Sequence, residues 1–551
     1  MGNSQEPQDS SASVMPSALD APNVAKAAAG LKLYDTASHA TSVFTPIKPG
    51  RVGIYVCGAT VQSSPHIGHI RAAVAFDVVR RWFLKLGYQV TFVRNVTDID
   101  DKILDKAAAA GQQWWARAYY YEREFTHAYE TLGVLPPTVE PRATGHVPEM
   151  VALIQRIIDN GHGYVVTDAN GQPTGNVYFD VASWPAYGEL THQKGSAEVD
   201  EAAAVADRMG PSVDATGADK YNPIDPADAS PDKHDPRDFA LWKAPKDTDP
   251  ETARWQTPFG VGRPGWHIEC SAMSHRYLDG MFDIHGGGLD LRFPHHENEM
   301  AQTRAAGYDS AARWMHSAWV TTKGEKMSKS LGTGLSVPSV LANHSAWVVR
   351  YALGSVQYRS MLEWSDQALV EAQSAYDRVS NFIERAGAAT GEQPSREEIE
   401  AVNADGLPDD FVTALNNDVN VPGALAAIFS AIRKGNILLG QLETNSTPYT
   451  PEVAVEEVKL VLRDVRAMLD TLGLDPLAEP WASSSAAGPA DAEESSPERK
   501  ALDALIGERL DARAAARKAK DFATADAIRD ELAAAGVAIE DGPQGSTWSL
   551  K

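Results

Sequence analysis

The sequence lacks the segments that mark membrane and secreted proteins. No apolar run in its 551 residues reaches the length that spans a bilayer. Residues 1–30 are rich in Ser, Ala and Pro and contain no basic stretch followed by an apolar one. That composition is typical of a disordered tail and not of a signal peptide. We therefore expect a cytoplasmic protein without a membrane partner.

Positive charge and cysteine are both scarce. The formal net charge is -24, from 74 acidic and 50 basic residues. A chain this acidic does not coat nucleic acid non-specifically, although a local basic surface can still bind it. A disulfide between the two cysteines, Cys57 and Cys270, is not expected in a cytosolic protein. The length alone predicts about three domains with an ample core.

A β–α–β pattern is present near the start of the chain. Val52–Val56 and Val90–Val93 have the composition of short strands. Between them, apolar residues recur at every fourth position from Ile70 to Leu86, which predicts a helix. Such a unit predicts a parallel sheet whose ligand lies at the carboxyl ends of the strands.

The motif His66-Ile67-Gly68-His69 opens the predicted helix. A helix start offers free N–H groups to phosphate, and Gly68 allows a nucleotide to approach the backbone closely. His66 and His69 can both donate to phosphate oxygens that gain charge during a displacement. Two surface histidines at a helix start are the alternative interpretation.

A lysine-rich loop supplies the second half of a nucleotide site. It contains Lys326-Met327-Ser328-Lys329-Ser330, with Lys323 before it and glycines on both sides. Such a loop can close over a pyrophosphate leaving group, although a lone example is as well explained by a solvated basic turn. In this order, the two motifs resemble the signature of class I aminoacyl-tRNA synthetases.

Two cysteines and a His–Glu pair form a candidate metal set. Cys57 ends the first strand, and Cys270 lies in the segment Pro264–Met273. His295 and Glu299 are four residues apart, on one face of a helix. Two thiolates, an imidazole and a carboxylate suit Zn2+. On spacing alone, buried apolar cysteines and a helix-stabilising His–Glu pair are the simpler interpretation.

The chain from about residue 31 to residue 551 resembles the cysteinyl-tRNA synthetases. The resemblance is carried, in order, by Tyr55–Gly58, His66–His69, Asn95–Lys102, Asp238–Lys243, Pro264–Met273, His285–Gly288 and Phe293–Glu299. It implies an α/β fold with a Rossmann-like parallel-sheet catalytic domain and a connective insertion, followed by an α-helical bundle and a small C-terminal anticodon-binding domain.

The resemblance also implies one Zn2+ per subunit, held by Cys57, Cys270, His295 and Glu299. Zinc can bind a substrate thiolate directly, whereas the hydroxyl of serine holds its proton, so the metal selects cysteine. We expect the zinc ion to expand its coordination when cysteine enters.

The same resemblance implies roles for other residues. The catalytic residues would be His66, His69, Lys326 and Lys329. Contacts to ATP and the adenylate would come from Gly68, Lys329, Thr60, Asn95, Thr97, Gly288, Asp290 and Val320. Trp266 and His285 would contact cysteine, with His267 and His296 nearby. Thr60, Asn95 and Thr97 have an alternative role in capping and turn formation, and Trp266 could be a core aromatic. The stretch Ala59–Pro65 lacks the aromatic and acidic residues usual in the family.

Composition divides the chain into regions. We expect a catalytic domain over 31–336, with an insertion at approximately 105–260 that contains an acidic loop at 196–235. A helical, tRNA-binding region follows over 337–478, then a Ser/Ala/Pro/Glu-rich linker over 479–498. Residues 499–551 would form the anticodon-binding domain, in which Arg509, Arg513, Arg517 and Lys520 share one helix face and Trp548 could stack on a base.

The implied activity is cysteine–tRNA ligation. ATP, accompanied by Mg2+, would activate L-cysteine to cysteinyl-adenylate, and the cysteinyl group would pass to the 3′ end of tRNA(Cys). We expect a monomer. One alternative is the cysteine:amino-sugar ligase of mycothiol biosynthesis, which lacks a long tRNA-binding tail. Another is a catalytically inactive, synthetase-like RNA-binding protein, which need not keep His66, His69 and Lys329.

Overall fold

In the computed structural model, the described residues are 22–192, 230–322, 325–326, 335–444, 446, 448–486 and parts of 506–550. Several predicted features lie outside them, among them Lys329, residues 1–21, most of the acidic loop and residues 487–498 of the linker. The chain divides into two compact units, Met1–Ala478 and Glu479–Lys551.

The strands of the described residues are, in chain order, β1 (Lys32–Asp35), β2 (Ala40–Val43), β3 (Arg51–Val56), β4 (Gln89–Arg94), β5 (Gly163–Thr167), β6 (Pro173–Phe179), β7 (Phe239–Lys243), β8 (Trp255–Thr257), β9 (Gly260–Pro264), β10 (Ile284–Gly288), β11 (Trp314–Ser317), β12 (Val320–Thr322), β13 (Glu325–Lys326), β14 (Leu362–Glu363), β15 (Val537–Gly542) and β16 (Gly545–Leu550).

The α-helices are α1 (Ile67–Lys85), α2 (Asp101–Ala109), α3 (Trp114–Thr131), α4 (Val147–Asp159), α5 (Trp266–Leu278), α6 (Glu297–Ala305), α7 (Val337–Leu341), α8 (Ala346–Gly354), α9 (Asp366–Thr390), α10 (Arg396–Ala401), α11 (Asp409–Asn416), α12 (Val421–Glu443), α13 (Pro451–Thr471), α14 (Trp481–Ala486) and α15 (Phe522–Ala534). In the part of the chain that the structure describes, no helix is both long enough and apolar enough to cross a membrane.

A four-stranded parallel sheet with the order β11-β10-β3-β4 lies at the centre of the first unit. β3 and β4 are joined by α1, which buries Ile70, Val74, Val78 and Trp82 against the sheet and its neighbours. These are residues of the stripe that the four-residue period predicted, because positions four apart share one helix face. The predicted β–α–β unit and the predicted α/β fold class are confirmed.

A long insertion separates β4 from β10. It comprises α2, α3, α4 and a five-stranded antiparallel sheet with the order β5-β6-β7-β9-β8, and α5 leads back to the central sheet. After β11, a small three-stranded sheet, β13-β12-β14, follows. Lys326, the first residue of the lysine motif, therefore belongs to the short β12–β13 hairpin.

Helices dominate the residues from α7 to α13. The long helices α9, α12 and α13 begin at Ser365, Asn420 and Thr450, whose side chains accept hydrogen bonds from backbone N–H groups in the first turn. Gly435 of α12 lies against Phe382 of α9, where a Cβ atom would overlap the ring. The close packing of these helices therefore depends on a glycine at the crossing.

Residues 22–30 have a defined backbone, so the predicted disordered tail over residues 1–30 is wrong for this part. A 3-10 helix begins at Lys26. The backbone N–H groups of Lys26 and Ala27 donate to the two carboxylate oxygens of Asp405 at 2.9 and 2.8 Å. Composition predicts disorder here because the segment has few apolar residues, whereas its order comes from a partner 379 positions away in the chain.

The second unit contains α15 and an antiparallel hairpin of β15 and β16. Ile506, Ile528 and Leu532 form a small buried cluster. Arg509 pairs with Glu531 at 2.6 Å, and Arg513 is buried. The predicted basic face is therefore not uniformly available to RNA, because one of its arginines lies inside the unit.

Candidate active site and metal centre

The two cysteines converge at the carboxyl edge of the parallel sheet. Cys57 directly follows β3, and its N–H donates to the Gly286 carbonyl of β10 at 3.0 Å. Cys270 is buried in α5. His295 and Glu299 lie where a π-helical turn runs into α6. The sheet thus gathers four donors from three separate segments at the edge where parallel sheets bind ligands.

These four side chains form a compact donor set. One ligand atom from each lies within 4.8 Å of the other three. Glu299 Oε1 is 3.3 Å from Cys57 Sγ and 3.1 Å from His295 Nε2. Glu299 Oε2 is buried, accepts no hydrogen bond from the described residues and lies 3.4 Å from His285 Nε2. A buried carboxylate oxygen without a hydrogen bond is costly unless a cation offsets its charge.

The electrostatics of the set favour a bound cation. Burial raises the pKa of Cys57 well above its usual value and raises that of Cys270 as well. Burial lowers the pKa of His295 to about 3, so its imidazole is neutral. Burial opposes ionisation of Glu299, but His285 and His295 together lower its pKa. Neutral imidazole, carboxylate and two sulfurs that ionise on a metal are donors that zinc takes, so these residues fit a zinc ion.

The predicted cysteine contacts border this set. His285 Nε2 lies 3.4 Å from Cys57 Sγ. Trp266 begins α5, and its ring centroid is 4.3 Å from that of His295. The structure therefore brings Trp266 and His285 to the candidate metal ligands.

Further buried histidines lie on both sides of the candidate metal ligands, and we call them the histidine chain. His267 Nδ1 lies 3.0 Å from His295 Nδ1. On the other side, His296 Nδ1 lies 2.8 Å from His316 Nε2, and His316 Nδ1 lies 2.8 Å from Thr36 Oγ1. Sequence reasoning missed His316 and Thr36. No local sequence signal identified them, because Gly287 stands opposite His316 only through the pairing of β10 with β11.

The glycines of β10 make room for this chain. A Cβ atom at Gly287 would lie 2.8 Å from His296 Cε1, so any larger residue would push the imidazole away. Gly288 ends the strand, and the exposed Asp290 follows it. Both lie at the carboxyl edge, next to the candidate metal ligands.

The first signature motif occupies the start of α1. His66 is its N-cap residue, and the His66 and His69 rings stack with centroids 3.6 Å apart. Gly68 lies close to His66, where a Cβ atom would be 3.0 Å from Cε1. The motif therefore presents two imidazoles and the helix N-terminus together.

Three predicted adenylate contacts form the rim between β3 and β4. Thr60 pairs with Thr97 in an isolated parallel bridge. Asn95 accepts from the Gly58 N–H at 2.8 Å, and Thr97 Oγ1 donates to Glu269 at 3.0 Å. Asn95 and Thr97 thus bond to other residues of the protein, Asn95 to a backbone N–H and Thr97 to a side chain 172 positions away. Glu269, fully buried beside Cys270, was not identified from the sequence.

The lysine loop begins at a short hairpin and ends beside the first motif. Lys326 pairs with Thr321 across β12 and β13, next to the buried Val320. At the far end, the N–H of Ile67 donates to the Leu335 carbonyl at 3.1 Å. The described residue that follows the lysine loop is therefore hydrogen-bonded to the first signature motif.

The chain is similar to known proteins over its whole length. Residues 43–374 match the family model "tRNA synthetases class I (C) catalytic domain", and residues 500–548 match "Cysteinyl-tRNA ligase anticodon binding domain". A cysteine–tRNA ligase of Bifidobacterium longum (strain NCC 2705) is 82% identical over 551 residues, 100% of both chains. Another, from Beutenbergia cavernae, is 50% identical over 95% of this chain and 99% of its own.

Among solved structures, Mycobacterium tuberculosis methionyl-tRNA synthetase in complex with methionyl-adenylate superposes with a TM-score of 0.53. It covers 83% of this chain and 96% of its own at 17% identity, a likeness that concerns the fold alone. The match of residues 43–374 to the catalytic-domain model and the 82% identity over the full length together establish the family of this chain. The chain belongs to the cysteine–tRNA ligases, a family of class I aminoacyl-tRNA synthetases.

Proposed function

We propose that this enzyme attaches L-cysteine to tRNA(Cys) with the residues gathered at the carboxyl edge of the parallel sheet. The observation that carries the proposal is the cluster of Cys57, Cys270, His295 and Glu299 beside the His66 motif. One part of the site is suited to a thiol and the other to a nucleotide. Cys57 directly follows β3, and His66 caps α1, the next helix after the same strand, so one molecule of cysteine and one of ATP can meet there.

Cys57, Cys270, His295 and Glu299 would hold one Zn2+ ion per subunit. When bound, the ion supplies a soft Lewis acid that takes up the substrate thiolate in preference to the serine hydroxyl. Trp266 and His285 would line the same pocket and orient the amino acid. Recognition of the thiol by the metal would give selectivity for cysteine over serine without editing. A pocket that relied on shape alone would separate two substrates of such similar size poorly.

The first chemical step would form cysteinyl-adenylate. The cysteine carboxylate oxygen attacks the α-phosphorus of ATP, the bond from that phosphorus to the bridging oxygen breaks, and pyrophosphate leaves with Mg2+. His66, His69 and the N-terminus of α1 would donate to the phosphate oxygens. Lys326 and Lys329 would stabilise the charge that develops on the pyrophosphate.

Other residues would hold the adenylate in place. These are Gly68, Thr60, Asn95, Thr97, Gly288, Asp290 and Val320. In the second step, a ribose hydroxyl of the tRNA 3′-terminal adenosine attacks the activated carbonyl, and AMP leaves. The region 337–478 and the terminal domain 499–551 would bind the body and anticodon of the tRNA. We expect this enzyme to act as a monomer in the cytoplasm.

ATP–pyrophosphate exchange tests the proposed activation step. Purified enzyme should exchange label with cysteine and far less with serine, and it should then charge tRNA(Cys) but not an amino sugar. The variant Lys329→Ala should slow exchange by about 100-fold, as loss of a transition-state donor does, while cysteine binding changes little. Exchange without preference for cysteine would overturn the zinc assignment, and charging of an amino sugar in place of tRNA would overturn the function.

A further inference from the structure

A buried arginine follows the first signature motif on α1. Arg71 comes two positions after His69 and is 1% exposed. Because an α-helix turns by about 100° per residue, side chains two positions apart point to nearly opposite sides of the helix. Arg71 therefore points into the protein, away from the side of α1 on which the rings of His66 and His69 stack.

The guanidinium of Arg71 holds the end of α8 and the turn that follows it. Nη1 donates to the Leu353 carbonyl, and Nη2 donates to the carbonyls of Val356 and Gln357 at 3.4 and 3.2 Å. In the part of the chain that the structure describes, no carboxylate pairs with Arg71, and burial lowers its pKa to about 10. The side chain is therefore a cation at neutral pH, and its planar fork of donors joins α1 to three backbone carbonyls.

The same turn leads directly to the strand before the lysine motif. Tyr358 follows Gln357 in the chain, and its carbonyl accepts from the Ala318 N–H at 2.9 Å. A few residues later, β14 pairs in parallel with β12. Thr321 of β12 in turn pairs with Lys326 of β13, the first residue of the lysine motif. A continuous series of bonds therefore runs from Arg71 on α1 to the β12–β13 hairpin.

We propose that Arg71 is a positioning residue that sets the distance between the first signature motif and the β12–β13 hairpin. The proposal rests on the proposed function, in which both motifs act on the same molecule of ATP. A displacement of about 1 Å in a catalytic group can slow a reaction by about 100-fold. Arg71 is buried against the turn after α8, so it acts through this geometry and not by contact with a substrate.

A purely structural role, in which Arg71 only stabilises the end of α8, is the competing explanation. Both explanations predict a lower melting temperature for Arg71→Met, because three carbonyls lose their donor. They differ in the kinetics of the folded enzyme. A positioning role predicts a lower kcat for ATP–pyrophosphate exchange in every folded molecule, whereas a structural role predicts an unchanged kcat once the fraction of folded enzyme is taken into account.

Steady-state exchange, measured well below the melting temperature of each variant, tests the proposal. We expect Arg71→Met to lower kcat by about 30-fold and to keep the KM for cysteine within about twofold. Zinc content should equal that of the unmodified enzyme. Arg71→Lys keeps a cation but not the planar fork of donors, so its kcat should lie between the two, and it takes the place of the methionine variant if that variant does not fold.

The matched control is Arg466→Met. Arg466 is also a buried arginine, and it donates to the Asp475 carboxylate and to the Pro394 carbonyl within the helical region. Its loss should lower the melting temperature, because Asp475 loses a buried partner. The kcat for exchange should remain that of the unmodified enzyme, since none of these bonds lies between the two signature motifs.

A double-mutant cycle with Lys329→Ala shows whether Arg71 acts through the lysine motif. If it does, the loss of Arg71 should matter little once Lys329 is absent, so R71M/K329A should have a kcat within about threefold of that of K329A alone. Independent effects would instead multiply to a loss of about 3,000-fold. A multiplied loss, an unchanged kcat in the Arg71 variants, or an equal fall of kcat in Arg466→Met would each overturn the proposal. Failure of the unmodified enzyme to exchange with cysteine would overturn the proposed function.

Discussion

Cys57 and Cys270 are the single residues on which the proposed zinc-based specificity depends. Neither is close to the other in sequence, yet both lie within 4.8 Å of His295 and Glu299. Replacing Cys270 with serine substitutes a hard, protonated oxygen for a soft thiolate. We expect Cys270→Ser to weaken zinc binding by more than the roughly 10–100-fold that outer-shell partners contribute. Metal analysis after dialysis against a chelator would measure this.

The control for this change is Met273→Leu, which alters a buried residue of the same helix without touching the ligands. It should retain zinc and cysteine-dependent exchange. If Cys270→Ser keeps a full complement of zinc through the dialysis, Cys270 is not a ligand. An intact metal with lost activity would point instead to a role in packing.

The residues that sequence reasoning missed lie outside any local pattern. His316 and Thr36 reach the histidine chain only because β11 pairs with β10 and the residues after β1 pack beside β11. Glu269 was overlooked because its neighbour Cys270 accounted for the motif. By contrast, the donor set could be inferred from residue type and family resemblance. Residue types indicate which chemistry is available, but they do not show which distant segments of the chain lie close together in the fold.

Among the elements, α1 and α8 are joined by one buried ion pair. Arg350 Nη2 lies 2.5 Å from Asp77 Oδ2, and both side chains are almost completely buried. The remaining donors of Arg350 bond to the carbonyls of Leu132, Gly133 and Leu472, at the ends of α3 and α13. Arg350 therefore joins the signature helix, the insertion and the helical region.

We expect Arg350→Met to destabilise the first unit by about 3 kcal/mol, because the buried Asp77 carboxylate keeps only Arg81 as a charged partner and three buried carbonyls lose their donor. Thermal unfolding should show a melting temperature lower by at least about 5 °C, given the usual relation of free energy to unfolding entropy. Arg385→Met, at an arginine whose side chain is 40% exposed, is the control and should shift it little. Equal shifts in the two variants would contradict the role of the buried pair.

The same carboxylate predicts a dependence of stability on pH. Burial raises the pKa of Asp77, but Arg81 and Arg350 outweigh it and lower the pKa to about 2. The folded state thus binds this proton more weakly than the unfolded chain does. Its stabilisation is complete above the ordinary aspartate pKa near 4 and is lost as the pH falls towards 2. Asp77→Asn should remove this part of the acid sensitivity, which melting temperatures measured between about pH 5 and pH 2.5 would detect.

Secondary-structure elements could be predicted where a single hydrophobic period along the sequence determined them. The four-residue stripe of α1 and its flanking strands gave the β–α–β unit, since burial of one helix face follows directly from spacing. Residues 22–30 were not, because their backbone is held by Asp405 and Asn416 from the helical region. The conformation of a segment without an apolar pattern of its own is determined by the residues it packs against, and these cannot be identified from the segment's own sequence.

At the scale of the whole molecule, the proposed catalytic residues and the terminal module belong to separate compact units. The first unit, up to Ala478, holds every described candidate for the metal, cysteine and ATP contacts. The second matches an anticodon-binding model over 500–548 and has a small cluster of its own at Ile506, Ile528 and Leu532. The two chemical steps should therefore depend on different parts of the chain, because only the second step needs tRNA.

Deleting residues 479–551 tests that separation. We expect cysteine-dependent ATP–pyrophosphate exchange to remain within about twofold, because every group proposed to act on ATP is retained. The kcat/KM for charging tRNA(Cys) should fall by about 100-fold, equivalent to roughly 2.7 kcal/mol of lost contacts with the tRNA. A milder variant of the full chain, Arg509→Ala with Arg517→Ala, should lower charging alone and become less sensitive to added salt, since each lost phosphate contact reduces the salt dependence of binding. Parallel loss of exchange and charging in both variants would mean that the terminal unit supports the catalytic fold and does not serve tRNA binding alone.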